Sequence, residues 1–142
     1  MAPKCVNGAG VLAYGKFMAR VLMANILIVE DEVFTRQSAE YTIGELGHET
    51  LLAGDVNEAL RHLSRPRFID ALFVDIRLGE FALGGYDVAN RAVELRPGLR
   101  VLYTSGTPLC ADMTGRFVKG GRFLQKPYSA ADLEVSVGEL LN

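Results

Sequence analysis

Short apolar runs alternate with amphipathic stretches from residue 25 to the end of the chain. Five of these runs have the length of buried strands and cover residues 26–29, 50–53, 71–74, 101–103 and 123–124. Continuous apolar runs are typical of strands that helices cover on both faces of a sheet. Their alternation with helical segments favours repeated βα units and a parallel sheet. The pattern therefore predicts a single α/β domain over residues 25–142.

Start and stop signals predict helices between the strands. Apolar residues at helical spacing precede Gly47, which is a typical helix stop. Asp55 with Glu58, and Ser129 with Asp132, have the spacing of capping boxes. These signals predict the first, second and fifth helices.

The third and fourth helices have weaker signals. The third is predicted over residues 86–95, where apolar side chains recur on one face. Residues 107–118 contain Pro108, Gly115 and few strong helix formers. The fourth helix is therefore expected to be short, bent or mobile.

Residues 1–24 are expected to form an N-terminal extension that is partly helical or mobile. Lys16 and Arg20 interrupt its apolar residues, so it lacks the roughly 20 apolar residues that span a bilayer. Lys4 precedes an apolar stretch, as in a signal peptide, but no typical cleavage site follows. We expect no transmembrane helix here, and Met23 is an alternative start.

Composition narrows the class of protein. The chain has 142 residues, of which 49% are hydrophobic and 23% are charged, as in an ordinary soluble domain. Fifteen Lys and Arg against 17 Asp and Glu give a net charge of -2, which disfavours direct nucleic-acid binding. Cys5 and Cys110 lack metal-ligand spacing and suit free thiols in a reducing compartment. These features predict a cytoplasmic protein that binds neither nucleic acid nor membrane.

Polar residues cluster where the predicted strands end. The residues at four of these ends are Glu30, Asp31 and Glu32, then Asp75, then Thr104 and Ser105, and finally Lys126. In an open parallel sheet the carboxyl ends of the strands form the crevice in which ligands bind. Several carboxylates are therefore expected to face a hydroxyl and a lysine. For the three consecutive acids, a role as helix N-terminal residues favoured by the helix dipole is the alternative.

This set of side chains suits phosphoryl chemistry. Clustered carboxylates repel one another unless a cation neutralises them, and Mg²⁺ prefers oxygen ligands. We expect Asp31 and Asp75 as direct ligands, with Glu30 acting through water. An aspartate can serve as a nucleophile and form an acyl phosphate. Lys126 and Thr104 are expected to contact the carboxylate or the phosphoryl oxygens.

Four segments resemble the motifs of response regulator receiver domains. They are ILIVEDE from Ile26, FVDIRL from Phe73, YTSG from Tyr103 and KPY from Lys126. Each motif alone is common, but four in order at strand ends form a specific set. The resemblance covers about residues 25–142.

The resemblance implies a flavodoxin-like (βα)5 fold with a five-stranded parallel sheet in the order 2-1-3-4-5. It implies phosphotransfer to Asp75 from a phosphohistidine on a sensor histidine kinase or a phosphotransfer protein. Glu30 and Asp31 would be the acidic pair that holds Mg²⁺, and the backbone carbonyl of Arg77 would complete the metal site. The chain would be a phosphate-accepting regulatory domain rather than an enzyme acting on other substrates.

The resemblance also assigns the residues of a conformational switch. Thr104 would be the switch hydroxyl, Phe123 the switching aromatic and Lys126 the lysine typical of such domains. Phe123 lacks the hydroxyl of a tyrosine, so any hydrogen bond from that ring is lost. The rearrangement would occur around the fourth and fifth strands. A homodimer through the fourth helix, fifth strand and fifth helix is compatible with the family.

The loop after Asp75 departs from the usual pattern. Residues 79–85 lack a frequent proline, and the loop is a residue or two longer than usual. Arg77 lies two residues beyond the acceptor and is within reach of a phosphoryl group. We hypothesise that Arg77 tunes the lifetime of the phosphoryl group.

Several other functions compete with the leading one. Only 15 residues follow Pro127, which favours a receiver that acts on a partner protein without an attached output domain. It could also be a phosphate sink or shuttle, or a degenerate receiver that acts by binding alone. A haloacid-dehalogenase-like phosphatase normally has a second acid where this chain has Arg77. A flavin carrier of the same fold would need a phosphate loop where this chain has the acidic residues 30–32.

Overall fold

The computed structural model of the protein describes residues 23–142. The prediction of an N-terminal extension falls almost entirely on residues 1–22, which lie outside this range. Over the described residues the chain forms five strands: β1 (Asn25–Val29), β2 (Glu49–Ala53), β3 (Ala71–Asp75), β4 (Arg100–Ser105) and β5 (Arg122–Gln125). The helices are α1 (Val33–Glu45), α2 (Val56–Ser64), α3 (Gly84–Leu95), α4 (Ala111–Thr114) and α5 (Ala130–Leu141). Each strand is therefore followed by a helix.

The strands form one parallel sheet in the order β2-β1-β3-β4-β5, which confirms the predicted topology. From β1 the chain first adds β2 on one side and then returns to add β3 on the other side, so β1 and β3 are neighbours. Val29 of β1 pairs with Val74 of β3, and Asp75 pairs with Thr104 of β4. The carboxyl ends of β1, β3 and β4 therefore lie side by side.

Successive side chains of the strands pack on opposite faces of the sheet. Leu27, Val29, Leu72, Val74 and Tyr103 belong to the core on the side of α2 and α3. The residues between them pack on the side of α1 and α5. All of β3 is buried, as predicted for a strand that helices cover on both faces.

Local signals explain where the helices begin. Ser129 and Asp132 form the predicted capping box at the start of α5. The Asp55 carboxylate accepts a hydrogen bond from the Glu58 amide at 2.8 Å. In a complete capping box the Glu58 carboxylate would accept a hydrogen bond from the Asp55 amide. Here it accepts from the amide of Gly54 instead, at 2.6 Å. The box predicted for α2 is therefore only half formed.

The fourth helix is a single turn, which agrees with its weak sequence signal. The chain around it is organised by Tyr103, whose ring is fully buried. The Tyr103 hydroxyl accepts a hydrogen bond from the Val118 amide at 2.9 Å, and its ring stacks on Phe117 with centroids 4.3 Å apart. A Cβ on Gly121 would lie 2.8 Å from the Tyr103 ring, so only glycine fits there without a shift. Packing on β4 thus holds a segment that has little helical preference of its own.

From residue 23 onward, no helix is both long enough and apolar enough to cross a bilayer.

Candidate functional site

A cleft of about 630 Å³ opens where the carboxyl ends of the central strands meet. Its charged and hydroxyl-bearing lining residues include Glu30, Asp31, Glu32, Asp75, Arg77, Ser105, Thr107, Asp112, Arg116 and Lys126. Four of the five acids come from the ends of β1 and β3, Asp112 lies in α4, and Lys126 follows β5. The prediction that these strand ends share one cleft is therefore confirmed.

Lys126 joins two buried carboxylates at the floor of the cleft. Its Nζ donates to Glu30 Oε1 at 2.6 Å and to Asp75 Oδ2 at 2.7 Å. The Glu30 and Asp75 side chains are only 5% and 9% exposed, and the Lys126 side chain is 24% exposed. Burial of two carboxylates and one ammonium is tolerated because each charge has a partner within hydrogen-bond distance. The group still carries one excess negative charge when all three side chains are ionised.

The pKa of Glu30 is shifted mainly by burial. Burial raises the pKa of this carboxyl to about 7, and the hydrogen bond from Lys126 offsets only part of the effect. Burial on its own lowers the pKa of Lys126, but its hydrogen bonds to Asp75 and Glu30 outweigh this, so the pKa is raised overall. The lysine therefore stays protonated at neutral pH. The Glu30 carboxylate is the charge that the site holds least favourably.

Three carboxylates converge closely enough to share a cation. One oxygen from each of Glu30, Asp31 and Asp75 lies within 4.8 Å of the others. Asp31 is exposed to solvent and is oriented by the Gly79 amide, which donates to its Oδ2 at 3.0 Å. Two buried acids and one exposed acid, all offering oxygen, fit a hard divalent ion such as Mg²⁺ that keeps several waters. This chemistry agrees with the expected cofactor.

Glu32 differs from Glu30 and Asp31 in its hydrogen-bond partners. Its carboxylate accepts from the amides of Phe34 at 3.3 Å and Thr35 at 2.8 Å, which caps α1. Hydrogen bonds from Thr35, followed by the one from Phe34, lower the pKa of this carboxyl. For this residue, the alternative of a helix N-terminal acid is confirmed. Glu30 and Asp31 do not cap the helix in this way.

Thr104 lies beside Asp75 in the sheet, because the two residues pair in the register of β3 and β4. Its hydroxyl donates to the backbone carbonyl of Leu124 at 2.7 Å, and the residue is not part of the cleft lining. Alternation along the strands puts Thr104 on the face of Leu102 and Asp75 on the face of Phe73, and Leu102 and Phe73 belong to the same core on the side of α1 and α5. The role of Thr104 as the switch hydroxyl stays a prediction.

Ser105, the last residue of β4, lines the cleft. Its Oγ accepts from the Thr107 amide at 3.1 Å. Its carbonyl also accepts from the Lys126 amide at 2.9 Å, which joins β4 to the residue that binds both acids. The sequence placed Ser105 at this strand end, but no role was predicted for it.

Phe123 lies beside the cleft region rather than in it. It is half-buried, pairs with Tyr103 in the strand register and stacks on Phe117 with ring centroids 6.2 Å apart. An aromatic ring is thus present on the same sheet face as Ser105. Its role as a switch stays a prediction.

The loop after β3 is shaped by a tight turn and two glycines. The backbones of Leu78 and Phe81 exchange hydrogen bonds at 3.0 and 2.9 Å, with Gly79 between them at a φ of 60°. Gly85 lies against the end of β3, since a Cβ there would be 2.3 Å from the Asp75 carbonyl oxygen. Sequence reasoning treated this loop as unusual but did not identify Gly85 as a support for Asp75.

Arg77 joins the cleft from the same loop. Its amide donates to Asp75 Oδ1 at 3.2 Å, and its exposed side chain is part of the cleft lining. Both Asp75 oxygens are thus engaged, one by Lys126 and one by the backbone. The assignment of the Arg77 carbonyl to a metal stays a prediction.

Comparisons with known proteins agree with this geometry. A family model described as the response regulator receiver domain matches residues 26–137. Among curated proteins, the probable transcriptional regulator ycf27 of Porphyra purpurea is 25% identical over 116 residues. That match covers 82% of this chain and 46% of the relative, so the chain spans about half the length of the relative.

Solved structures match the same region. A response regulator receiver protein from Sinorhizobium medicae has a TM-score of 0.76 at 28% identity, and the match covers 84% of this chain and 95% of that one. NtrX from Brucella abortus has a TM-score of 0.75 at 29% identity, with 84% of this chain and 27% of that chain covered. The similarity thus includes a protein of comparable length and a part of a much longer one.

Proposed function

The chain belongs to the response regulator receiver domain family, and on this premise we propose that it is a signalling switch phosphorylated on Asp75. The observation that carries the proposal is the buried Asp75 carboxylate at the end of β3, bonded to Lys126 and adjacent to Glu30 and Asp31. A charged side chain at a buried strand end is costly unless it has a partner or a function. The Asp75 side chain lies in an open cleft, where a phosphoryl donor can reach it.

The proposed reaction transfers a phosphoryl group to one Asp75 carboxylate oxygen. A new P–O bond forms as the P–N bond of a phosphohistidine breaks, and the imidazole leaves with the electron pair and takes up a proton. With acetyl phosphate as donor, a P–O bond breaks instead and acetate leaves. Glu30, Asp31 and Asp75 would hold Mg²⁺, whose charge offsets that of the phosphoryl oxygens. The product is an acyl phosphate.

Lys126 and Ser105 are the side chains proposed to contact the transferred group. The Lys126 ammonium already lies 2.7 Å from Asp75 and can remain paired with an oxygen of the acyl phosphate. Ser105 contributes a hydroxyl to the cleft from the neighbouring strand, next to Thr104, whose proposed role is that of the switch hydroxyl. Movement of Ser105 would displace the end of β4 and the aromatic residues packed against it. We propose that this displacement carries the signal to a protein partner.

The partners follow from the chemistry and are part of the proposal. The donor would be a sensor histidine kinase or a histidine phosphotransfer protein, and the target a protein that recognises the altered surface. A homodimer through α4, β5 and α5 stays a prediction, as does a cytoplasmic location. The single-turn α4 makes that dimer face smaller than a full helix would.

A phosphatase of the haloacid-dehalogenase type is less well supported. Such an enzyme needs a second acid two residues after the nucleophile, and Arg77 holds that position with its side chain in the cleft. An arginine stays protonated and cannot act as a general acid or base there. The geometry therefore favours a stable phosphorylated state over rapid turnover.

Intact-protein mass spectrometry tests the proposal. The wild type, Asp75→Asn and Asp87→Asn are incubated with acetyl phosphate, with and without Mg²⁺. Asp87 is an exposed acid in the first turn of α3 and serves as the matched control. One Mg²⁺-dependent phosphoryl adduct is expected in the wild type and Asp87→Asn, and none in Asp75→Asn.

Two results would contradict it. A wild-type protein that acquires no adduct would be a degenerate receiver that acts by binding alone. An adduct of equal yield in Asp75→Asn would place the acceptor elsewhere, and peptide mapping would locate it.

A further inference from the structure

Arg116 is a second cationic side chain in the wall of the cleft. It follows α4 and lines the same cleft as Asp75 and Lys126. Its guanidinium carbon lies 5.9 Å from the centroid of the Tyr86 ring, and its Nε is 3.5 Å from Asp112 Oδ2. The proposed chemistry of Asp75 does not yet use this residue.

The backbone next to Arg116 is fixed by aromatic packing. Phe117 stacks on Tyr103 with ring planes 15° apart and also lies beside Tyr86, with centroids 6.3 Å apart. The Val118 amide is bonded to the Tyr103 hydroxyl. Because Tyr103 is on β4, two residues before Ser105, the position of Arg116 relative to the cleft is set by the strand that ends there.

The Arg116 side chain is held only weakly, in contrast to its backbone. It is 47% exposed, and its partner Asp112 is 79% exposed. Exposed ion pairs at this separation contribute little, because water screens both charges. The guanidinium can therefore leave Asp112 at small cost when a more strongly charged partner enters the cleft.

A phosphoryl group on Asp75 would be such a partner. It carries up to about two negative charges and three acceptor oxygens. Lys126 is already shared between Glu30 and Asp75, so its ammonium cannot neutralise this charge alone. An arginine can donate two parallel hydrogen bonds to phosphoryl oxygens, and a lysine cannot. Arg116 is therefore better suited than Lys126 to bind the added anion.

The geometry points to Arg116 as a sensor of the phosphoryl group on Asp75. Its guanidinium exchanges Asp112 for phosphoryl oxygens and draws residues 111–118 over the cleft. This inference rests on the proposed function of Asp75. It assigns to the short α4 segment a direct contact with the modified site, and Phe117 then transmits the movement to the aromatic residues packed on β4.

Beryllium fluoride with Mg²⁺ is the probe for the test, because it mimics a phosphoryl group on a carboxylate without turning over. Its affinity is measured by ¹⁹F NMR for the wild type, Arg116→Ala, Asp112→Asn and Arg91→Ala. Arg91 is the matched control, since it is 57% exposed, forms an ion pair with Glu94 at 3.1 Å and is not part of the cleft lining. Hydrogen exchange of peptides covering residues 107–118 is followed in parallel.

The wild type and Arg91→Ala are expected to bind the probe equally and to gain protection over residues 107–118. Arg116→Ala is expected to bind about 10-fold more weakly, as for loss of one charge-assisted hydrogen bond, and to show no gain in protection. Asp112→Asn frees the guanidinium and is expected to bind at least as tightly as the wild type.

The outcomes separate the two proposals. If the wild type binds the probe and Arg116→Ala matches it in affinity and protection, the sensor role is overturned while the acceptor role of Asp75 stands. If the wild type binds no beryllium fluoride and acquires no adduct from acetyl phosphate, the proposed function fails and the sensor role fails with it. Circular dichroism of Arg116→Ala controls for folding.

Discussion

The Lys126 ammonium lies 2.7 Å from the Asp75 carboxylate, although 51 residues separate the two in the chain. The same ammonium lies 2.6 Å from Glu30. One lysine thus balances two buried acids that come from the ends of different strands. The site therefore carries an excess of negative charge that a cation can neutralise. This excess has several measurable consequences.

Replacement of Lys126 by Met should destabilise the fold and make it more dependent on Mg²⁺. Glu30 and Asp75 would lose their shared partner, and we expect the free energy of unfolding at pH 8 without Mg²⁺ to fall by about 2 kcal/mol. Mg²⁺ should restore more stability in the variant than in the wild type. Urea titrations with and without Mg²⁺ measure both effects. Lys119→Met, at an exposed position outside the cleft lining, is the control, and equal loss in both variants would contradict the prediction.

The pH dependence of stability should report Glu30. Its pKa is about 7 in the folded protein against an ordinary value of 4.5, because burial disfavours its charged form. A raised pKa means that the folded state binds the proton more tightly. This contribution to stability is fully present below pH 4.5 and is lost as the pH rises through 7.

Mg²⁺ should oppose that loss, since a cation favours the ionised carboxylate. The rise in melting temperature on adding Mg²⁺ is therefore expected to be larger at pH 8 than at pH 6. Thermal unfolding at the two pH values measures the difference, with Glu30→Gln as the control in which it should shrink. An equal Mg²⁺ effect at both pH values in the wild type would count against the assignment.

Ser105 and Thr104 should differ in their effects although they are adjacent hydroxyl residues. Ser105→Ala removes a hydroxyl from the cleft, and we expect the rate of Asp75 phosphorylation by acetyl phosphate to fall about 10-fold. Thr104→Val removes the hydrogen bond to the Leu124 carbonyl and should cost about 1 kcal/mol of stability. Its phosphorylation rate should stay near that of the wild type. Reversal of the two phenotypes would contradict this prediction and would identify Thr104 as the hydroxyl that assists phosphorylation.

Arg77 should affect how long the phosphoryl group survives. Its side chain lines the cleft, and its backbone amide donates to Asp75 Oδ1. Truncation in Arg77→Ala would open a path for water, and we expect dephosphorylation to become about threefold faster, a difference of less than 1 kcal/mol in barrier. Loss of the adduct with time, followed by intact mass, gives the rate. Arg91→Ala should leave it unchanged, and an unchanged rate in Arg77→Ala would refute the hypothesis.

Gly85 should be the most sensitive glycine near the site. A methyl group there would come within 2.3 Å of the Asp75 carbonyl and 2.6 Å of the Ile76 Cα, so backbone must move. Gly85→Ala is expected to cost about 3 kcal/mol of stability and to slow phosphorylation, because the displaced backbone carries the acceptor. Gly44→Ala is the control. That residue lies in α1 with open space around its Cα, and alanine should stabilise the helix by about 0.5 kcal/mol.

The sequence predicted most of the fold because its main signals are local. Five apolar runs with helical segments between them required a parallel sheet, and Ser129 with Asp132 marked the start of α5. The half-formed box at Asp55 shows the limit of such signals. The spacing of two residues in the sequence shows that their groups are near each other. It does not show from which backbone amide each carboxylate accepts a hydrogen bond.

The chain alone thus determined that Glu30, Asp31, Asp75 and Lys126 meet, because the carboxyl ends of parallel strands always share one edge of the sheet. Only the tertiary structure shows that Ser105 lines the cleft while the Thr104 hydroxyl donates to the Leu124 carbonyl. Both residues lie at the end of β4, and their hydroxyl partners depend on how the next loop and β5 pack against that end. The same holds for Gly85 and Arg116, which approach the site through loop packing and through an aromatic stack on Tyr103. Contacts between distant segments depend on how whole elements pack, and no local pattern in the sequence records them.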